Sequence, residues 1–307
     1  MGYGYWRKED FIAYSGTQGR KVDNSGRVDP SLTDRQIFRQ NGMNPLLNPL
    51  NVMRECCDSS DHPQTLPVIL ALDVTGSMGP ASAEVAKTMN VVMTSLYNKI
   101  QDVEFMVMGI GDLSYDRAPI QISQFESDIR IAEQLDKIYL EYGGGGNAFE
   151  SYTAAWYMGL YHTRLDCWKR NRKGLIITMG DEPLNPYLPR EPLSAVTGDR
   201  LQRNVETKEL YREVRKKFDI LHLHVQHTEY DRYLDDVRTS FGRLLPEGCL
   251  EITGLNSIGD ALVRIICAWA GQSKTDGVRQ DNPLIGWGTP SGRDQAERKR
   301  EKHLIFW

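Results

Sequence analysis

Eight residues, LPVILALD at Leu66–Asp73, form an apolar run that closes on an acid. A strand with one wet face alternates apolar and polar residues, whereas an unbroken run needs cover on both faces, as in a parallel sheet. A second strand is expected at Val103–Ile110, ending near Asp112, and the apolar form recurs at 174–179 (GLIITM), with Asp181 just beyond. Residues 220–225 and Cys249–Thr253 read as two further strands, and 121–125 (QISQF) as a short edge strand. Between the strands the period changes. After the turn TGSMGP, Val85, Met89, Val92, Met93, Leu96 and Ile100 fall on one stripe of a helix, so the two methionines read as packing. Helices are also predicted over 128–139, 150–163, 200–217, 230–241 and 258–270. Strands alternating with helices predict an α/β fold. Its expected form is a doubly wound, mainly parallel sheet with one short antiparallel edge strand and helices on both faces.

The ends of the chain lack this rhythm. Residues 1–63 are rich in Gly, Asn, Asp, Arg and Ser and read as an irregular N-terminal extension with a short helix around 32–40. Residues 64–272 form the expected domain, and 273–307 a C-terminal tail. In the tail a mixed-charge run, RDQAERKREK, reads as a solvated segment, and LIFW is expected to dock on the domain's own surface in preference to a partner.

Composition narrows the function classes. A formal net charge of −4 over 307 residues argues against general nucleic-acid binding, which needs a clustered basic face. No apolar run approaches the roughly 20 residues that cross a bilayer. The N-terminus, MGYGYWRKEDF, carries charges where a signal peptide needs apolar residues. The five cysteines are an odd number without paired spacing, so neither a disulfide framework nor a thiolate metal site is expected. A cytoplasmic protein is the resulting expectation.

The chemistry should lie beyond the carboxyl ends of the strands, where ligands bind in open α/β sheets. Asp73, Thr75 and Ser77 follow the first strand, Asp112 the second, Glu150 the glycine run, and Asp181 the GLIITM strand. All are oxygen donors, which suit a hard divalent cation: magnesium first, with manganese or calcium as alternatives. Asp73 closing an apolar strand is costly without a partner. Asp112 reads equally as an outer acid of the site or as part of the turn GDLSYD.

DVTGSM, between a buried strand and a helix, resembles the Asp-x-Ser-x-Ser signature of von Willebrand A domains, the metal-ion-dependent adhesion site. Asp73 matches the acid, Thr75 and Ser77 the two hydroxyls, and Asp181 in ITMGDEP the distal acid. The element order from residue 66 to about 270 is similar as well, so the resemblance covers roughly two-thirds of the chain. Many members carry a threonine after a Gly-Gly pair at the start of the next helix. Here Gly143, Gly144, Gly145 and Gly146 lead to Asn147 and then Glu150. Glu150 is preferred at that position, as the glutamate is in integrin β-type domains and in A domains associated with alpha-kinases, and Asn147 is the competing residue. The resemblance implies a metal-dependent protein-binding module and not an enzyme. Its partner would be a protein offering an acidic residue to the metal, such as a client or a MoxR-type AAA+ ATPase.

Two other constellations are weaker. Ser77, Asp181 and one of His222, His224 or His227 follow the chain order of an α/β-hydrolase triad, making a serine or metal-assisted hydrolase the alternative. That fold needs strands ahead of its serine, and residues 1–65 offer none. His222, His224 and His227 also form a possible zinc ladder, but His227 falls on the opposite face, so polar packing in the sheet is expected instead.

Overall fold

The structure is a computed structural model that describes residues 4–142, 149–226 and 233–272. In chain order its elements begin with α1 (Lys8–Thr17), α2 (Asp34–Ile37) and β1 (Arg54–Cys56). They continue with β2 (Leu66–Asp73), α3 (Gly79–Tyr97), β3 (Val103–Ile110), β4 (Ile120–Ile122), α4 (Arg130–Leu135), α5 (Thr153–Tyr161) and β5 (Thr163–Leu165). The last part holds β6 (Gly174–Gly180), β7 (Tyr187–Leu188), α6 (Arg190–Thr197), β8 (Val205–Glu206), α7 (Thr207–Val214), β9 (Phe218–Gln226), α8 (Leu234–Gly242), β10 (Cys249–Thr253) and α9 (Ile258–Gln272).

Six strands make the central sheet in the order β10-β9-β6-β2-β3-β4. All neighbours are parallel except β4, which runs antiparallel to β3 at the edge. β2 lies between β3 and β6, and its side chains divide between two cores. Val68, Leu70 and Leu72 pack with α3 and α9, whereas Ile69 and Ala71 pack with Trp156 of α5, Leu210 of α7 and Phe241 of α8. Helices therefore cover both faces, which is why the run has no polar alternation. The fold is the doubly wound α/β arrangement. Met89 and Met93 lie in the core, as their stripe predicts. Among the described residues no helix is long and apolar enough to cross a membrane.

Several elements are shorter than their sequence pattern. The helix expected over 128–139 stops at Leu135, because the Gln121 side chain takes over the backbone of Tyr139, donating to its carbonyl at 2.8 Å and accepting from its N–H at 2.9 Å. The edge strand expected over 121–125 ends at Ile122. At the next residue the Ser123 hydroxyl accepts the Val107 N–H at 2.8 Å, a ladder position that a backbone carbonyl would otherwise fill. The helix expected from 150 begins at Thr153, since Glu150 pairs as a bridge with Leu184. Only Thr207–Val214 of the span 200–217 is helical, and Val205 and Glu206 form β8 against β7. The helix expected over 230–241 is described from Leu234.

The extension differs most from expectation. It contains α1, and its helix near 32–40 shrinks to four residues, closed at the front by a Thr33–Gln36 capping box. Trp6, Phe11, Val28, Ile37 and Phe38 enter the same core as α3 and α9. The Trp6 indole donates to Asn90 at 3.0 Å, and Arg20 meets Asp136 at 2.8 Å with both side chains largely buried. β1 adds a parallel pair with β5. These anchors are single side chains separated by polar stretches, so no period reveals them. The tail from 273, including LIFW, lies outside the described residues.

Candidate metal centre

Asp73 ends the central strand with its side chain fully buried. One carboxylate oxygen, Oδ1, accepts from the Thr75 N–H at 2.9 Å and the Thr75 hydroxyl at 2.6 Å. The other, Oδ2, accepts from the Tyr152 hydroxyl at 2.8 Å. The chain then turns so that Ser77 is exposed and α3 begins at Gly79. The Ser82 hydroxyl, one turn into α3, holds the Asp73 carbonyl at 3.0 Å and fixes the entry of that helix.

Tyr152 links the expected acid Asp73 to the residue that follows Asp181. Its hydroxyl donates to Asp73 and accepts from the Glu182 N–H at 3.2 Å, so the loop after β6 is tied to the end of β2. Gly180 is required there, because a Cβ would collide with the Tyr152 hydroxyl. Glu150 is buried, with 7% of its surface exposed, and its Oε2 has no hydrogen-bond partner. Asp112 serves its own turn, accepting from the Ser114 N–H at 2.6 Å, and its N–H donates to Asp116 at 2.7 Å. The Ser151 hydroxyl accepts from the Leu113 N–H at 3.0 Å and joins that turn to the Glu150 segment. Asn147 falls within 143–148, outside the described residues.

Electrostatics binds these acids into one group. Burial, then the Asp181 charge, pushes the Asp73 carboxyl above the usual range, against the hydrogen bonds from Thr75 and Tyr152. Glu150 is driven up harder, first by burial and then by Asp73, Glu182, Asp116 and Asp112. Glu182 is pushed up to about 8 by burial, then by Asp73 and Asp181. Asp116 rises to about 6, again chiefly through burial. Burial and the same three acids, Asp73, Asp181 and Glu150, raise the Tyr152 phenol, which stays a donor. No Lys or Arg stands among the strongest influences on Asp73, Glu150 or Glu182. Carboxylates crowded in this way must share protons or hold a cation.

Three strands and two loops thus bring Asp73, Thr75, Asp112, Glu150 and Asp181 to one rim. Among the described residues, however, no three His, Cys, Asp or Glu side chains stand at metal-holding distance. Magnesium commonly takes one or two carboxylates and completes its shell with neutral oxygens and water, so hydroxyls of the Thr75 and Ser77 kind fit it. The donor chemistry and the unpartnered Glu150 oxygen suit a hard divalent cation, and Asp73 with Glu150 or Asp181 would hold it.

The histidines are placed differently. His222 and His224 are fully buried on β9. His222 uses Nδ1 on the Thr178 hydroxyl at 2.9 Å and stacks on Phe241 at 3.8 Å, and burial holds its pKa well below the usual value. His227 lies outside the described residues. Sequence reasoning missed Tyr152 and Glu182. Glu182 adjoins Asp181 and was within reach of the same argument, whereas nothing in the pattern separates Tyr152 from an ordinary core aromatic.

No protein-family model matches this chain. No curated protein matches it. Among solved structures, the pilus adhesin SpaC from Lactobacillus rhamnosus GG, in its open conformation, is similar with a TM-score of 0.48 at 13% identity, over 71% of this chain and 31% of the adhesin. A second crystal structure of that adhesin gives 0.47 at 12% identity, over 71% and 32% of the two chains. This chain therefore spans less than a third of the adhesin's length. A likeness at that level speaks to neither family nor activity.

Proposed function

We propose that the chain is a metal-dependent protein-binding module of the von Willebrand A type, acting in the cytoplasm. The observation that carries this reading is the buried, unpartnered Oε2 of Glu150 among acids whose strongest electrostatic neighbours include no cation. A two-plus ion, magnesium first, would neutralise that cluster, with Asp73, Glu150 and Asp181 as its acids and Thr75 and Ser77 as its hydroxyls. Ser77 is exposed, so a face of the ion would remain open to a partner's side chain. A protein offering an acidic residue, such as a client or a MoxR-type AAA+ ATPase, is the proposed occupant.

Thermal melting with magnesium, manganese, calcium or chelator tests the site. An ion that binds only the folded state stabilises it by about 2.7 kcal/mol at a hundredfold excess over Kd. That corresponds to a rise on the order of 5–10 °C for a domain of this size. Asp73→Ala is expected to abolish the rise. Ser77→Ala should leave the stability in chelator within about 0.5 kcal/mol of wild type, since an exposed hydroxyl is lost, yet reduce the gain from metal. Wild-type protein that melts identically with every ion and with chelator sinks the reading. Pull-downs in magnesium and in chelator then ask whether a partner depends on the ion.

A further inference from the structure

The N-terminal segment reaches the rim from outside the α/β alternation. Helix α2 lies beside α3, and its first residue, Asp34, puts Oδ2 in the space that a Cβ on Gly79 would need. Gly79 opens α3 just after Ser77, at a helix end with no side-chain cap of its own. A carboxylate is electrostatically favoured there. The Tyr142 ring lies under the Arg35 guanidinium at 4.3 Å, and burial, then the neighbouring Asp34 charge, raises the Tyr142 phenol.

Tyr142 in turn closes on the metal loop. Its carbonyl oxygen stands 3.7 Å from the Cβ position of Gly76, between Thr75 and Ser77, and the Glu141 N–H donates to the Val74 carbonyl at 2.8 Å. Contacts therefore run without a break from Asp34 and Arg35, through Tyr142, to the loop that carries two of the proposed metal hydroxyls. Residues other than Asp34 and Arg35 also hold α2 in place. That hold comes from buried Ile37 and Phe38 and from Arg20, which donates to the Ile37 carbonyl at 2.7 Å.

We propose that Asp34 and Arg35 are positioning residues for the metal site, holding Tyr142 against the loop at Gly76 so that Thr75 and Ser77 are set for the ion. The extension is then part of the binding device. This rests on the metal-binding reading above.

The test measures the Mn2+ dissociation constant of the full chain by titration calorimetry, together with its melting point in chelator. Asp34→Ala and Tyr142→Phe each remove one side of the Asp34–Tyr142 contact and are expected to weaken Mn2+ binding about three- to tenfold. Asp34→Asn keeps an acceptor for Tyr142 and should stay within about twofold of wild type. Melting points in chelator should move by less than about 3 °C in all three, a shift worth on the order of 1 kcal/mol. Equal affinities for Asp34→Ala and wild type overturn the proposal. So does an equal loss in Asp34→Asn, which would make Asp34 a remote charge, or a loss matched by a collapse in chelator stability, which would make it merely structural. Wild-type protein that binds no Mn2+ removes the metal reading itself, a different result from variants that bind as well as wild type.

Discussion

A Glu150→Gln protein is expected to melt higher than wild type in chelator and to gain less than wild type from magnesium. The two effects have one cause and opposite signs. Without metal, the buried Glu150 carboxyl faces Asp73, Glu182, Asp116 and Asp112, and its Oε2 has no donor to satisfy it. The folded chain must therefore keep that carboxyl protonated, and an amide of nearly the same shape needs no proton, an improvement of about 1–3 kcal/mol near neutral pH. With metal, the same change deletes a charged ligand. Loss of an outer partner of a metal ligand typically costs about 10–100-fold in affinity, and loss of a carboxylate that touches the ion is no milder. At an ion concentration that stabilises wild type by about 2.7 kcal/mol, the variant would gain about 1.4 kcal/mol or less. Melting curves of both proteins in chelator and in magnesium give the four numbers. If Glu150 were an ordinary surface glutamate, neither curve would move. A melting point that falls in chelator together with an unchanged gain from magnesium rejects the assignment.

The sheet was readable because burial on two faces erases alternation. Leu66–Asp73 and Val103–Ile110, buried at every position, therefore stand in the structure with the bounds that the sequence suggests. Helices were less legible. Their periodicity continues past the point where a side chain captures the backbone, as Gln121 does at Tyr139, and such a capture depends on a contact between segments distant in sequence. The same division holds at the rim. Asp73 closes its strand and Asp112 and Asp181 sit just past theirs, so the topology alone places them together. Tyr152, which bonds Asp73 and the Glu182 N–H at once, is one of many aromatic residues until the fold is known. Asp34 is hidden more deeply still. It belongs to a segment without period whose position is set by scattered anchors such as Trp6 and Arg20.

Glu104→Met is expected to raise the melting point of the protein at pH 8 and to do little at pH 4.5. Glu104 sits inside the unbroken run of β3 with no exposed surface. Neither of its oxygens meets an N–H or O–H donor, and the Cys56 thiol beside it is a weak one. Burial, opposed by Cys56 and His62, pushes its pKa from 4.5 to about 7. Because the folded value lies above the unfolded one, the folded state holds the proton more tightly. The stability linked to that proton is fully present below pH 4.5, declines as the pH rises from 4.5 to about 7, and is absent above. The difference is on the order of 3 kcal/mol. Methionine fills a similar volume and has no charge to bury, and such replacements of buried charge are commonly stabilising by about 1–4 kcal/mol. The gain at pH 8 should therefore be on the order of 5–10 °C. Measuring in chelator keeps the acids of the rim identical in the two proteins, so their own titration cancels from the difference. A difference between variant and wild type that is the same at pH 4.5 and pH 8 would mean that Glu104 is already satisfied in the fold, by Cys56 or by another donor, and that its burial carries no charge penalty.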